Sequence, residues 1–398
     1  MTDSTLSSMT ADLKTYFSSE PAAKAVYDER DCFLVNPKNV KQKKVGGDTY
    51  KTALLSADNG GVSGSASDAS TYVTSLGYSQ WSASPNELYK YTPLGQNLIN
   101  AIEGNPGNAF DQIKDFAVSA KRQAAVILER LLVGDGTGLI GTVASATTTA
   151  NITLTSDFEA RRISTNQEVE ATDSAGNART GNATVTGING KVLTSDAHWD
   201  DQITSFAQTD LLYMKGLKSA AFTGLGKHFP TTRSGTVTKQ GVVISTDWQT
   251  LAGQSLSGSG TAYDLIMGKS VEAIAGGARP NVLLMSYANY ANVIQDAMTA
   301  RSIVETKAEI GFESVGVRTP AGAIRIAGSP FISDSVVYGL NTETLELVFW
   351  GTELFPFTEQ KGTIIHVDPA AGRAAMAIVC QCDLVVKNPR DNFVLTIS

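Results

Sequence analysis

Polar and apolar residues alternate in two neighbouring stretches near the N-terminus: Tyr50, Thr52 and Leu54, then Tyr72, Thr74, Leu76 and Tyr78. Positions two apart share one face of an extended chain, so the spacing predicts the two legs of a hairpin. The connecting stretch, DNGGVSGSASDAS, holds almost nothing apolar. Such a ribbon, placed across residues 41–92, has no core of its own. Ten extended residues reach about 33 Å, beyond the radius of a compact domain of this size. The pattern predicts an arm that needs a neighbour to pack on.

The period then changes. Phe110, Ile113, Ala117, Ala120, Ala124, Ile127, Leu128 and Leu131 recur at three- and four-residue intervals, which predicts one long amphipathic helix over Asn108–Leu132. Asn108 is the expected N-cap and Gly134 the expected stop. At 1.5 Å per residue the helix spans roughly 37 Å, enough to act as a spine beneath a sheet. A shorter amphipathic helix is expected over residues 3–18, and another helical stretch holds Leu98, Ile99 and Ile102.

Residues 151–206 read as short alternating strands broken by SAGNARTGN and INGK turns, a small β-module inserted into the main fold or appended to its sheet. A strand pair is expected over 236–247, and SLSGSGTAY at 255–263 reads as a flexible joint. Beyond it helices and strands alternate. Helices are expected at 264–275 and 287–299, with strands at 281–285, 322–332, 335–338, 345–350 and 363–367. The tail from Arg373 is a long strand or a helix-strand return, with a turn at NPRDN. The fold class is α+β.

Composition narrows the function. A chain of 398 residues exceeds what one core usually serves, so two or three packed units are expected. A net charge of −7 argues against a dedicated nucleic-acid binder. The lysines nevertheless gather at the foot of the arm, Lys38, Lys41, Lys43, Lys44 and Lys51, after which none appears until Lys90. They either dock onto something acidic or guard an open sheet edge. No apolar run approaches the roughly 18 residues that cross a bilayer, and no signal-peptide layout opens the chain, so no membrane partner is expected. Three cysteines, Cys32, Cys380 and Cys382, are an odd count that fits a reducing compartment.

Catalytic chemistry is mostly eliminated. GTGLIG at 136–141 matches a dinucleotide fingerprint by letter but follows a helix instead of a strand, and a helix-ending turn fits better. MGKS at 267–270 lacks the first glycine of a phosphate loop, because Tyr263 stands there. His198, His228 and His366 have no triad partners. His198, Asp200 and Asp201 are metal-ligand types, yet neighbours on a strand point to opposite faces. Cys380 and Cys382 share a face if extended but lack two further ligands, so packing is the expected role. No cofactor, metal or enzymatic activity is expected.

Taken in order, the chain presents an N-terminal arm, a lysine-footed hairpin ending in YKYTPLGQNLIN, a spine helix ending in ILERLLVGDGTGLIG, and the segment RPNVLLMSYANYANVIQDA. ELVFWGTELFPF and VDPAAGRAAMAIVCQCDLVVKNPRDNFVLTI follow. This ordered set resembles the major capsid proteins of tailed bacteriophages, a fold shared with encapsulin shells, over nearly the whole chain. The resemblance implies an N-arm (1–40), an extended E-loop (41–92), a P-domain with the spine helix (93–150, continued at 207–260, with a return strand at 376–398) and an α/β A-domain (261–375). The 151–206 module would be an insertion.

By the same resemblance the chain self-assembles into pentamers and hexamers of an icosahedral virion shell built in the host cytoplasm. The residues expected at contacts between copies are Lys44, Lys51, Tyr72, Tyr78, Trp81, Tyr89 and Tyr91. The implied partners are other copies, a scaffolding protein, a portal protein, in some cases a decoration protein, and packaged double-stranded DNA met through phosphates alone. Because the fold starts within the first forty residues, a separate scaffolding protein is expected, or a chain numbered without its propeptide, against which Met1 argues. Some members crosslink an E-loop lysine to a neighbour's asparagine; Lys44 and Lys51 are placed for this, and noncovalent locking is the reading kept. Two other classes stay open: an encapsulin-like compartment with enzyme cargo, and a β-rich virion surface or tail protein. Turnover through His198 or His366 would mark a hydrolase instead.

Overall fold

A computed structural model describes residues 32–57, 65, 67, 77–94, 106–145, 149–218, 222–245, 248–260, 262–299, 316–319, 322–359, 365–368 and 373–397. The expected helices at 3–18 and around Leu98, most of the hairpin tip and Tyr72 lie outside these residues. The chain opens with β1 (Lys41–Val45), β2 (Tyr50–Ala57), β3 (Gly77–Ala83), β4 (Asn86–Leu94) and the long helix α1 (Pro106–Val133). Next come β5 (Leu139–Ser145), β6 (Asn151–Leu154), β7 (Gln167–Thr172), β8 (Ala183–Asn189), β9 (Val192–Ser195) and β10 (Leu211–Met214). β11 (Val237–Lys239), β12 (Val242–Ile244) and β13 (Gln254–Gly258) lead to α2 (Ala262–Ala275), β14 (Val282–Met285) and α3 (Tyr287–Thr299). The remainder is β15 (Gly316–Thr319), β16 (Gly322–Gly328), β17 (Val336–Leu340), β18 (Leu345–Trp350), β19 (Ile365–Asp368), β20 (Arg373–Val386) and β21 (Phe393–Ile397).

The expected single hairpin over 41–92 is three separate pairings. β1 lies parallel to β18, Lys41 opposite Glu346, and β4 lies antiparallel to β20 from Asn86 opposite Cys382 to Leu94 opposite Ala374. Only β2 and β3 pair with each other, Tyr50 opposite Ala83 and Leu55 opposite Tyr78. Alternation marks a strand with one wet face, and it carries no information about which edge that strand joins. β20 is the shared seam: β4 runs along one edge, while β18, a bridge at Phe357 and β19 succeed one another along the other.

α1 packs on β20 and β4 through the stripe read from the sequence, with Ile113, Ala117, Ala120, Ala124, Leu128 and Leu131 fully buried. It begins at Pro106, two residues before the expected cap, because proline's fixed φ and missing N–H suit a first turn. Under it lie the even residues of β20, including Cys380 and Cys382, whose sulfurs are 3.5 Å apart. Glu129, also buried, accepts the backbone N–H groups of Leu34 at 2.9 Å and Val35 at 2.9 Å, tying the segment before β1 to the helix.

The inserted module is wider than expected. β5 to β10 close into a six-stranded antiparallel barrel over 139–214, so the strands flanking 151–206 belong to it as well. Its attachment explains the GTGLIG run. Gly136 has φ +88°, and a Cβ there would stand 2.0 Å from the Phe222 carbonyl oxygen, so the glycine lets the chain leave α1 against the 222–226 segment.

The C-terminal half forms a six-stranded sheet, β13-β21-β17-β14-β16-β15, with α2 and α3 against it. Residues 255–258, expected to be a flexible joint, instead form most of edge strand β13, parallel to β21. The Ser/Gly composition that suggested flexibility is tolerated at an edge, where only one ladder must be satisfied. The tail also divides: β20 enters the first sheet, a turn at 389–391 follows, and β21 enters this one.

Burial pushes the Glu129 carboxyl up to about 7 against the hydrogen bonds it accepts, so the folded chain keeps a proton there that the unfolded chain releases above its ordinary 4.5. Glu129 therefore adds stability as pH falls from about 7 to about 4.5. Chemical denaturation should show a wild-type gain over that window that is clearly smaller in Glu129→Gln, where only groups such as Asp383, which burial also raises to about 7, still contribute. Glu129→Ala, which leaves the Leu34 and Val35 amides buried without an acceptor, should lose roughly 3 kcal/mol.

Candidate assembly surface

The foot of the arm is a closed charge cluster. Glu346 on β18 has a nearly buried side chain, and Lys387 Nζ lies 2.6 Å and Lys41 Nζ 3.8 Å from its Oε1. Tyr50 donates to Glu346 Oε2 at 3.2 Å and accepts from Lys43 Nζ at 3.1 Å. Burial pushes the Glu346 carboxyl up, but Lys387, Tyr50 and Lys43 outweigh it and hold it below the usual carboxylate range. Much of the lysine run is thus satisfied internally. Lys44 and Lys51 are the exposed members named for contacts, Lys44 on β1 and Lys51 on β2.

The ribbon leaves the body one residue pair above this foot. Trp81 and Ala83 are buried, while Lys51, Ala53 and Gln80 are exposed, and within the ribbon β2 and β3 pair only with each other among the described residues. Trp81 is therefore a core residue of its own chain, packed with Val242, Ile244, Leu251 and Ala252, and not a surface anchor. Alternation placed it correctly on a buried face but could not say that β12 would cover it. Tyr78 stands on β3 opposite Leu55.

Tyr89 and Tyr91 do reach solvent, at 54% and 62% exposure. Odd positions of β4 face away from α1, as Leu88 faces it, so both tyrosines lie on the open side of the sheet beside Val379 and Ala377 of β20. Tyr89 donates to Glu87, which also accepts from Gln381 Nε2 at 2.7 Å. Those two hydrogen bonds hold the Glu87 carboxyl low and fix the first ring over the strand pair. Two exposed aromatics thus stand side by side on one strand of a hydrogen-bonded sheet.

The chemical candidates resolve differently. His228 is fully buried, and its Nε2 meets the Leu384 carbonyl at 2.9 Å. Met267–Ser270 lies within α2, with Ser270 Oγ donating to the Ile266 carbonyl at 2.6 Å. His198, Asp200 and Asp201 sit on one helical turn at 199–202, not on a strand, so their ligand atoms do gather within 4.8 Å. All three are exposed, and His198 Nδ1 to Asp201 Oδ2 is 3.9 Å, wider than the roughly 3.3 Å between donors that share a metal at about 2 Å.

No protein-family profile matches the chain, and no curated protein matches it. Solved structures do. Over 89% of both chains it is similar to a chain of the cyanophage A-1(L) capsid asymmetric unit, at 11% identity and a TM-score of 0.48. It is similar to a chain of the satellite phage P4 procapsid at 10% identity and a TM-score of 0.44, covering 98% of this chain and 91% of that one. It is also similar to a chain of the holo-SrpI encapsulin complex from Synechococcus elongatus, at 9% identity and a TM-score of 0.41 over 95% of each chain.

The contrast between the two kinds of aromatic is measurable. Tyr91→Ser should leave the unfolding free energy of the subunit within about 0.5 kcal/mol of wild type. Trp81→Ala, which empties a closed core, should cost about 3–5 kcal/mol by chemical denaturation.

Proposed function

We propose that this chain is the major capsid protein of a tailed bacteriophage, a shell subunit whose copies join through the β2–β3 arm and the open face of the β4–β20 pair. The observation that carries the reading is the arm. A two-stranded ribbon is marginal by itself, and this one leaves its own body directly after Trp81, with two unpaired edges among the described residues. A partner that supplies a strand edge or an apolar face repairs that deficit.

The contact is heterologous, arm to body, and such contacts close into rings when the rotation permits. Pentamers and hexamers of one chain then tile an icosahedral shell around double-stranded DNA, with a scaffolding protein guiding curvature and a portal at one vertex. Tyr89 and Tyr91 are the proposed anchors on the receiving face, with Tyr72 and Tyr78 on the arm. Lys44 and Lys51 sit at its foot as exposed contact residues. Individually weak contacts accumulate around each ring.

Electron microscopy of the purified full-length chain, alone and with candidate scaffolding proteins, tests the reading. Wild type is expected to give rings or closed particles. A variant in which residues 56–76 are replaced by Asn-Gly should stay folded and remain monomeric; closed particles from that variant would overturn the proposal.

A further inference from the structure

A cleft opens where α1 hands over to the barrel. Arg130, Gly134, Asp135, Gly138, Arg162 and Met214 line it, so the end of the helix, the turn after it and strand β10 all contribute. Its enclosed part is small, about 10 Å³ measured at the centre of a water-sized sphere, behind a mouth open to solvent. That is room for one atom of a ligand, with the remainder held in the mouth.

Each of the two arginines rests on an aromatic ring. The Arg130 guanidinium lies 5.1 Å from the Phe331 ring centroid and the Arg162 guanidinium 4.7 Å from that of Phe158, which fixes both planes and leaves the donors along their edges. Arg130 uses Nη1 on the Arg162 carbonyl at 3.1 Å and Nη2 on Ser164 Oγ at 3.3 Å. Arg162 uses only Nη1, on the Leu139 carbonyl at 3.1 Å, and makes no ion pair within 4 Å among the described residues. Basic side chains at a helix end ordinarily cap its last carbonyls, whereas Arg162 donates to β5 instead.

The acidic neighbours are already engaged. Asp135 Oδ1 accepts the N–H and the hydroxyl of Thr137 at 3.0 and 2.7 Å, and Glu159 accepts the N–H groups of Thr142 at 3.2 Å and Ser156 at 3.1 Å. Burial outweighs the pull of both carboxylates and pushes the Arg162 guanidinium down from its ordinary range, so its lost hydration is only partly replaced. Beside it stands Tyr338, nearly buried, whose hydroxyl makes no hydrogen bond among the described residues and is pushed up to about 12 by burial against the opposing Arg162 cation.

We propose that this cleft is an anion site: one oxygen of a small oxyanion of the phosphate class enters between Arg130 and Arg162, and the bound ion straps the root of the barrel to the end of α1. Two guanidiniums balance a dianion, and the roughly half charge at the C-terminal end of α1, which opposes any anion, is smaller than either of them. The site lies within one copy and does not depend on how copies meet.

Inorganic phosphate is the probe, titrated into the full-length chain above its second ionisation and compared with chloride at equal ionic strength. Calorimetry should give one site per chain with a dissociation constant on the order of 1 mM. Arg162→Gln should weaken binding at least about tenfold, and Arg162→Lys, which keeps the charge and loses the fork, by a smaller factor. Lys191→Gln removes an exposed cation elsewhere on the barrel and should change the affinity by less than about twofold. In hydrogen exchange on wild type, phosphate should slow the amides of residues 134–139 at least about threefold and leave those of β14 unchanged. Should Arg162→Gln fail to fold, that exchange pattern decides. Phosphate that binds no better than chloride, equal weakening by Lys191→Gln and Arg162→Gln, or protection spread evenly along the chain would each overturn the assignment.

Discussion

One strand orders the molecule. β20 has fourteen residues, about 46 Å of extended chain, and every other part of the first sheet hydrogen-bonds to it directly or through β18. Its even side chains, Met376 through Val386, are buried beneath α1, while the opposite face is divided. Val385 packs with Ala83, Val348 and Trp350, and Asp383 accepts from Thr223 and Gln240, so the lower half of that face is covered. In the upper half Tyr89 and Tyr91 of β4 are exposed, while their β20 neighbours Val379 and Ala377 are half-buried and buried. A strand buried beneath α1 along its length holds the exposed tyrosines of β4 on a rigid base.

The same strand couples the two sheets. After β20 the chain turns at 389–391 and enters the second sheet as β21, and the buried Asn392 fixes that turn. Its Nδ2 donates to the Asn388 carbonyl at 2.9 Å, and its Oδ1 accepts the Asn341 N–H at 2.7 Å. The barrel, in contrast, hangs from the end of α1 through glycines. It can vary in size without disturbing β20, since its strands pair only among themselves.

Local order was legible in the sequence and pairing was not. The stripe from Ile113 to Leu131 specified α1 to within two residues, because a helix is closed by its own hydrogen bonds and needs only one apolar face. Leu345–Trp350 and Tyr287–Thr299 appear where the periodicity put them. β1, β4 and β13 were misassigned for one reason: a strand's partner is chosen by tertiary packing, and Lys41, Tyr89 and Ser255 carry no mark of whether the next edge is five or three hundred residues away. Trp81 shows the same limit at a side chain, since its burial depends on Val242 and Ile244 of a hairpin 160 residues later. Tyr89 and Tyr91 were legible as exposed residues because two aromatics at a spacing of two, flanking a lysine, fit a strand with one wet face.

The lysine-rich foot invites an electrostatic account of association, and the geometry argues against making it the main one. Lys41, Lys43 and Lys387 gather with Tyr50 around a single buried carboxylate, so part of their charge is answered within the subunit, and the charge that remains lies in solvent, where salt screens it. Their clearest effect is local. Placed along β1 at the edge of a sheet, they discourage indiscriminate edge pairing, while β2 and β3 carry no charge beyond Lys51. On the shell reading, an edge left open beside a guarded one favours strand addition at the arm, and that selectivity matters more than affinity, because a subunit that paired through every edge would aggregate before it could close a ring.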